Sequence, residues 1–401
     1  MSQPALRQNY DVVIVGGAML GSSVAWFLTQ QPGFDGSVLV VERDPSYAMC
    51  STAHTNSCIR QQFSAEINIR ISQFGVDFIR NFRRYMGNDP RVPEVVLQSF
   101  GYLYLADTPG FAASLKEAQT VQAACGAGTR HMSADQIAAE YPFYNLDDIL
   151  AGNHNTKDEG YFDGNTLFDW WKRSAKEHGV TYIADEVVGM TRSADGARIE
   201  SVTLKSGAQV GCGTVVNASG PRAALTAKMA GLALPVEPRK RYTFVFEAEK
   251  PLDRDLPLTI DPSGVHMRTD GRYYMAGCPP DDDPAVAPDD FTADHSLWEE
   301  KVWPAIAHRI PQFEAIRLRQ SWVGHYAYNT LDQNAVVGPH PEVGNFIFVN
   351  GFSGHGFQQS PAMGRGVAEW ITHGAYQSLD LSPLGYDRIV KGASLIEKAV
   401  I

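Results

Sequence analysis

Gly16 and Gly17 close a β-branched run, residues 12–15, and Gly21 opens the helical segment that follows. Residues of these types at this spacing can hold a phosphate group. A first glycine permits a tight turn. A helix start presents unpaired N–H groups and the positive end of its dipole to an anion. Gly21 lets helix and strand pack closely. Glu42 ends a second apolar run, residues 38–41, where its carboxylate can accept hydrogen bonds from ribose hydroxyls. Strand, glycine turn, helix, strand and acid stand in the order of a dinucleotide-binding fingerprint. Ala18 takes the place of the second glycine, and its methyl presses on a pyrophosphate without excluding it. Gly16, Gly17, Ala18, Met19, Leu20, Gly21 and Glu42 are therefore the first candidate cofactor contacts. The acid at 42 favours FAD or NAD over NADP, whose 2′-phosphate it repels.

Two later stretches carry related chemistry. Asn217-Ala-Ser-Gly-Pro-Arg-Ala223 follows a strand and precedes a helix, and its small residues, Ser219 and Gly220 among them, allow a second close approach of backbone to a dinucleotide. An ordinary strand-to-helix turn fits that stretch equally well. Gly351-Phe-Ser-Gly-His-Gly-Phe-Gln-Gln-Ser-Pro-Ala-Met-Gly364 aims backbone N–H groups at one point beside a helix start. Such a nest suits an anionic oxygen or the N1–C2=O edge of a flavin. A nicotinamide enzyme has no need of it there. A serine hydrolase is excluded for want of a G-x-S-x-G elbow.

These stretches must be positioned by regular elements. Helices are expected at residues 22–30, 68–85, 111–125, 165–178 (capped by Asp163), 299–309 and 360–373, where apolar residues recur with a helical period. Strands are expected at 99–106, 180–183, 186–192, 199–204, 214–218, 241–248, 264–268, 273–277, 335–337 and 346–349. The α/β character at both ends and the strand-rich stretches between them predict one α/β domain in three pieces, residues 1–95, 155–230 and 325–401. A mainly antiparallel substrate domain, residues 96–154 and 231–324, is inserted in it. A substrate would then lie between the two, over the cofactor.

Composition narrows the classes. A chain of 401 residues with 44% hydrophobic and 20% charged residues is ordinary for a globular protein. A net charge of −11 argues against a nucleic-acid surface. No apolar run has the length of a membrane span, and residues 1–9 lack the apolar core of a signal peptide. Five scattered cysteines without a C-x-x-C pair support neither a metal centre nor a disulfide framework, and free thiols in a reducing cytoplasm are the expectation.

The fingerprint, the turn at 217–220 and the stretch 351–364 together resemble the D-amino-acid oxidase superfamily of FAD enzymes. Val38-Leu-Val-Val-Glu-Arg-Asp44, Pro235-Val-Glu-Pro-Arg-Lys-Arg-Tyr242, Tyr328-Asn-Thr-Leu-Asp-Gln-Asn334, Gly338-Pro-His-Pro341 and Leu379-Asp-Leu-Ser-Pro383 carry the same resemblance. It extends over nearly the whole chain. It implies a Rossmann-like FAD-binding domain with an inserted antiparallel sheet, and oxidation of a secondary or tertiary amine bearing a carboxylate. Electrons would pass to an acceptor protein or a quinone if the chain is a dehydrogenase.

The resemblance also assigns residues. Ser51 and Thr52 would meet the pyrophosphate or ribityl chain, and Arg43, Val187, Gly354, His355, Gly356 and Phe357 join the cofactor set. His54 stands where dimethylglycine and sarcosine dehydrogenases carry a histidine bonded covalently to the flavin, but Ala53 replaces the tryptophan before it. His325 stands where sarcosine oxidases carry a flavin-linked cysteine, so that linkage is not expected. Arg60 matches the arginine that binds the substrate carboxylate, for which a guanidinium is suited. Gln358 replaces the lysine that is its second ligand. Met275 falls near the lysine that promotes reaction with oxygen, which implies a dehydrogenase. Tyr326 and Tyr328 are candidates for a substrate wall, or are core aromatics. An animal member of the family is associated with assembly of a respiratory complex, so a mainly assembly-factor role stands as the alternative.

Overall fold

The computed structural model describes residues 6–398. The strand Asn9–Val15 lies inside a sheet of order Val336–Pro339, Phe346–Asn350, Gln209–Asn217, Asn9–Val15, Val38–Glu42, Thr181–Ala184. It pairs in parallel with Gln209–Asn217 on one side and Val38–Glu42 on the other. Its alternate side chains enter two cores, Val12 and Ile14 on one face and Tyr10, Val13 and Val15 on the other. A strand buried on both faces must be apolar throughout, which is why it reads as a continuous β-branched run.

The helices Met19–Gln30, Glu66–Arg80, Gly164–Glu177 and Gly356–His373 cover the first of these faces. Met19–Gln30 and Gly356–His373 approach closely because small residues meet between them. A Cβ on Gly364 would overlap the Ser23 hydroxyl, and Ser23 Oγ donates to the Ser360 carbonyl at 2.8 Å. The other face carries an antiparallel run, Val187–Arg192 and Ile199–Leu204, that leads into Gln209–Asn217.

A second sheet has the order Ile316–Asn329, Val236–Ala248, Tyr273–Cys278, His266–Asp270, Leu258–Ile260, Tyr102–Ala106, Ala151–Asn155, Arg130–Ser133. All its pairs are antiparallel except Leu258–Ile260 with Tyr102–Ala106. The fold is thus α/β with an added, mainly antiparallel sheet. Among the described residues no helix is long and apolar enough to cross a membrane.

Three expectations need correction. The helix expected at 68–85 is two, Glu66–Arg80 and Phe82–Tyr85. The break falls at Asn81, whose amide donates to the carbonyl and carboxylate of Asp77 and so competes with the helical pattern. The strand Ile316–Asn329 was not anticipated. Arg317, Leu318, Arg319 and Gln320 are exposed, so its first half shows little apolar signal, yet it pairs with nearly the whole of Val236–Ala248. It carries the antiparallel sheet past the boundary expected at 324. The helix expected over 299–309, with a local break at Pro304, is a π-helical turn, Trp298–Val302, followed by an α-helix, Trp303–Arg309, with Pro304 in the first turn of the latter.

Candidate active site

A cavity of about 710 Å³ opens at the carboxyl ends of the parallel strands. Val15, Gly16, Val41, Glu42 and Ala218 form its floor, and Arg241, Thr243, Leu258, His266 and Tyr326 face them from the antiparallel sheet. Ligands bind at such strand ends in open α/β sheets.

The glycine turn is built by contact. Gly16 has φ +97°, and a Cβ there would lie 2.5 Å from the Ala218 carbonyl oxygen. Gly16 therefore brings the first dinucleotide segment onto the second. Gly17 and Gly21 shape the site from behind and are not among the cavity-lining residues. The Gly17 N–H donates to Glu42 Oε2 at 2.8 Å, and a Cβ on Gly21 would overlap the Gly16 carbonyl oxygen. Glu42 also accepts from the Asp44 N–H at 2.8 Å. Burial raises the Glu42 pKa, against the pull of these two bonds. Ala18 is the cap of Met19–Gln30 and supplies no side-chain acceptor, so the helix start is left to a ligand. Met19 N–H reaches Thr52 Oγ1 at 3.3 Å.

Ala18, Met19, Leu20, Arg43, Ser51, Thr52, Val187, Ser219 and Gly220 all line the cavity. Ser219 donates through N and Oγ to Asn217 Oδ1, which holds the second turn. Gly220 has φ +57° with open space where a Cβ would stand. His54 lines the cavity and donates from Nδ1 to the Cys50 carbonyl at 2.9 Å. His325 donates from Nε2 to the Asp290 carbonyl at 2.8 Å, and the Phe291 ring stacks on it at 4.2 Å. Burial lowers its pKa. Ser51 Oγ donates to the His325 carbonyl at 2.7 Å.

At the far end, Gly354 (φ +98°) lets its loop lie on Tyr326, whose ring a Cβ would meet at 2.5 Å. Gly354, His355, Gly356, Phe357 and Gln358 line this end. Arg60 lines it too but has no exposed surface. Its Nη1 donates to the Gln62 carbonyl and its Nη2 to His355 Nε2 at 2.9 Å, with the Phe63 ring 3.9 Å from the guanidinium. Its backbone N–H donates to Gln358 Oε1 at 2.9 Å. Burial, with Arg60 beside it, holds the His355 pKa well below the usual histidine value. Tyr326 faces the cavity beneath Arg241, 4.5 Å away. Tyr328, expected beside it, lies outside the lining under Arg239, at 3.9 Å. Met275 is buried, with its sulfur 3.5 Å from Arg268 Nη2.

From its strand His266 could be expected to reach the cleft, but its pairing with Asn56 was not foreseen. The Asn56 amide nitrogen stands 2.9 Å from His266 Nε2. Burial first, then Arg268 and Arg241, push the His266 pKa down to about 4. Asn56 Oδ1 and His266 Nδ1 are buried and have no hydrogen-bond partner among the described residues. Their separation in sequence, 210 residues, leaves no local signal. Glu159 carries no functional signal in the sequence either. It is buried behind Arg60, accepting from the Gln61 N–H at 2.7 Å and Gln62 Nε2 at 2.8 Å, and burial raises its pKa to about 7.

An uncapped helix start, a second turn open at Gly220 and the glycine loop at 354–356 all line one cavity, although the His355 N–H donates to the Phe352 carbonyl at 2.9 Å. These features fit the pyrophosphate and ring system of a flavin dinucleotide, and the cavity is of ligand size. The comparisons agree. The chain matches the family model described as FAD dependent oxidoreductase over residues 11–370. It is 38% identical to the FAD-dependent oxidoreductase domain-containing protein 1 of Xenopus laevis, over 98% of this chain and 85% of that protein. It is 26% identical to the mitochondrial dimethylglycine dehydrogenase of Rattus norvegicus, over 96% of this chain and 46% of that protein. The structure of L-proline dehydrogenase from P. horikoshii superposes with a TM-score of 0.82 at 24% identity, covering 96% of this chain and 99% of that one. The chain belongs to the DAO family of FAD-dependent oxidoreductases, and FAD is its cofactor.

Proposed function

We propose that the protein oxidises the C–N bond of a secondary or tertiary amine that carries a carboxylate, such as an N-alkyl amino acid. The observation that carries this is the corner made by Arg60, His355 and Gln358 at the end of the cavity beyond the dinucleotide turns. FAD, when bound, supplies a hydride acceptor. The chain's own residues orient the substrate. A buried guanidinium behind the wall attracts a carboxylate and disfavours a protonated amine, and only the neutral amine gives up hydride readily. His266 and His355 face the same space as neutral rings and add no competing positive charge. Asn56 and His266 border this space, with Asn56 Oδ1 and His266 Nδ1 buried and without a hydrogen-bond partner among the described residues. The iminium product hydrolyses in water.

Dehydrogenase action is favoured over oxidase action. Met275 falls near the position where the resemblance puts the oxygen-activating lysine of oxidases, and the acceptor is then a protein or a quinone. The test is anaerobic mixing of the yellow holoprotein with sarcosine, N,N-dimethylglycine and L-proline. Bleaching of the flavin absorption by at least one of them, with slow return of colour in air, is expected. No bleaching by any carboxylate-bearing amine overturns the substrate class.

A further inference from the structure

We infer that Arg60 acts on the substrate through His355. Arg60 fixes the imidazole with its proton on Nδ1, and that N–H, with the Gln358 amide, is what meets the substrate carboxylate. This rests on the substrate class proposed above. Arg60 is then a positioning residue, and His355 is the group that makes the contact.

The chemistry of the contact fixes the tautomer. A guanidinium only donates hydrogen bonds. Arg60 Nη2 lies 2.9 Å from His355 Nε2, so that nitrogen must be bare and accept. The proton of the neutral ring is then on Nδ1. A doubly protonated ring would set N–H against N–H and cation against cation.

The surroundings hold both partners in place. Arg60 has no exposed surface, whereas His355 and Gln358 each keep 5% at the cavity wall. The guanidinium is fastened by the Gln62 carbonyl and the Phe63 face. The Phe63 ring also braces the imidazole edge-on at 5.1 Å. Behind Arg60, Gln62 Nε2 donates to Glu159. A line of hydrogen bonds thus runs from Glu159 through Gln62 and Arg60 to His355. Gln358 is positioned by the same residue, because its Oε1 accepts the Arg60 backbone N–H. Its Nε2 hydrogens are left to donate elsewhere. The acid would be received by two neutral donors backed by a buried charge.

The test uses FAD-loaded protein with ¹⁵N-labelled histidine. Ring ¹⁵N shifts report which nitrogen carries the proton, and His355→Asn identifies the His355 signals by difference. The wild-type spectrum at pH 7 is expected to show Nδ1–H with Nε2 bare. An Nε2–H or doubly protonated ring overturns the inference. Arg60→Met is expected to release His355 into a mixture of tautomers. An unchanged tautomer there also counts against it.

Acetate, followed by the flavin absorption spectrum, gives the second readout. His355→Asn keeps a donor near the Nδ1 position and should hold acetate within about threefold of wild type. His355→Gln and Arg60→Met should each weaken it about tenfold to a hundredfold, the worth of a hydrogen bond to a charged group. The double variant should be no weaker than either single one. Additive losses, or a full loss in Arg60→Met with none in His355→Gln, would mean that Arg60 meets the acid directly. The tautomer is read without any substrate. It therefore stands or falls separately from the proposed amine oxidation.

Discussion

Gly21→Ala is the sharpest test of how the dinucleotide segment is held. Gly21 lies in the helix Met19–Gln30, so an alanine there gains about 1 kcal/mol of intrinsic helix preference. Against this, the new Cβ would overlap the Gly16 carbonyl oxygen and lie 3.0 Å from its carbonyl carbon and 3.2 Å from Ile14 Cγ2. The first two neighbours are backbone and cannot rotate away. Overpacking of this kind costs about 3 kcal/mol, the upper end of the usual range. The net effect is a loss of about 2 kcal/mol. Relief requires the helix start to move off the strand end, which carries its N–H groups away from the place of the pyrophosphate. FAD affinity should fall by roughly thirtyfold if the same 2 kcal/mol appears in binding. Urea unfolding of the apoprotein reads the first quantity, and FAD titration by flavin fluorescence reads the second. Gly33→Ala is the control. Gly33 has φ +87° but open space around it, so some stability is lost and FAD affinity is kept. A Gly21→Ala protein as stable as wild type with equal FAD affinity would refute the reasoning.

Four other outcomes are expected. Gly364→Ala should lower stability by about 2–3 kcal/mol in thermal or urea unfolding, because its Cβ overlaps Ser23 Oγ, and adding Ser23→Gly should recover part of the loss. Glu159 keeps its proton in the folded state up to about pH 7, against a usual value of 4.5, so the folded state binds more protons than the unfolded one across that window. Stability should therefore fall as pH rises from 4.5 to 7, by up to about 3 kcal/mol, and urea unfolding of Glu159→Gln should lack that slope. Asp289 bridges Arg43 and Arg222 across the two dinucleotide turns but is exposed, so Asp289→Asn should leave thermal unfolding unchanged and speed FAD release by no more than about fivefold, as read by flavin fluorescence. Tyr326→Phe should change substrate kinetics, whereas Tyr328→Phe, under Arg239 outside the cavity, should not.

What could be read from the sequence follows the range of the forces involved. The segment 11–42 was legible because a buried parallel strand, a tight turn and a helix start each demand particular residue types within a few positions. The helix Gly164–Glu177 was legible for the same reason, its Asp163 cap accepting the Thr166 N–H. The strand Ile316–Asn329 was not, because half of it faces solvent and its apolar signal is lost. Its existence depends on Val236–Ala248 pairing with it, a non-local fact.

The candidate site divides along the same line. Backbone-built parts, the turns at Gly16 and Gly220 and the loop at 354–356, line the cavity, although the His355 N–H donates to the Phe352 carbonyl. Side-chain parts depend on partners far away in the chain. Arg60 was expected to grip a carboxylate because the resemblance puts such an arginine there and a guanidinium suits the role, yet its chemistry is the same when it grips a carbonyl and an imidazole. What decides is burial. With no exposed surface, its charge reaches the cavity as a field and through His355, and Glu159 lies behind it as a carboxyl that titrates near neutrality. An arginine at the wall and an arginine behind the wall look alike in sequence, and the packing around this one, Phe63, Gln62 and His355 included, separates them.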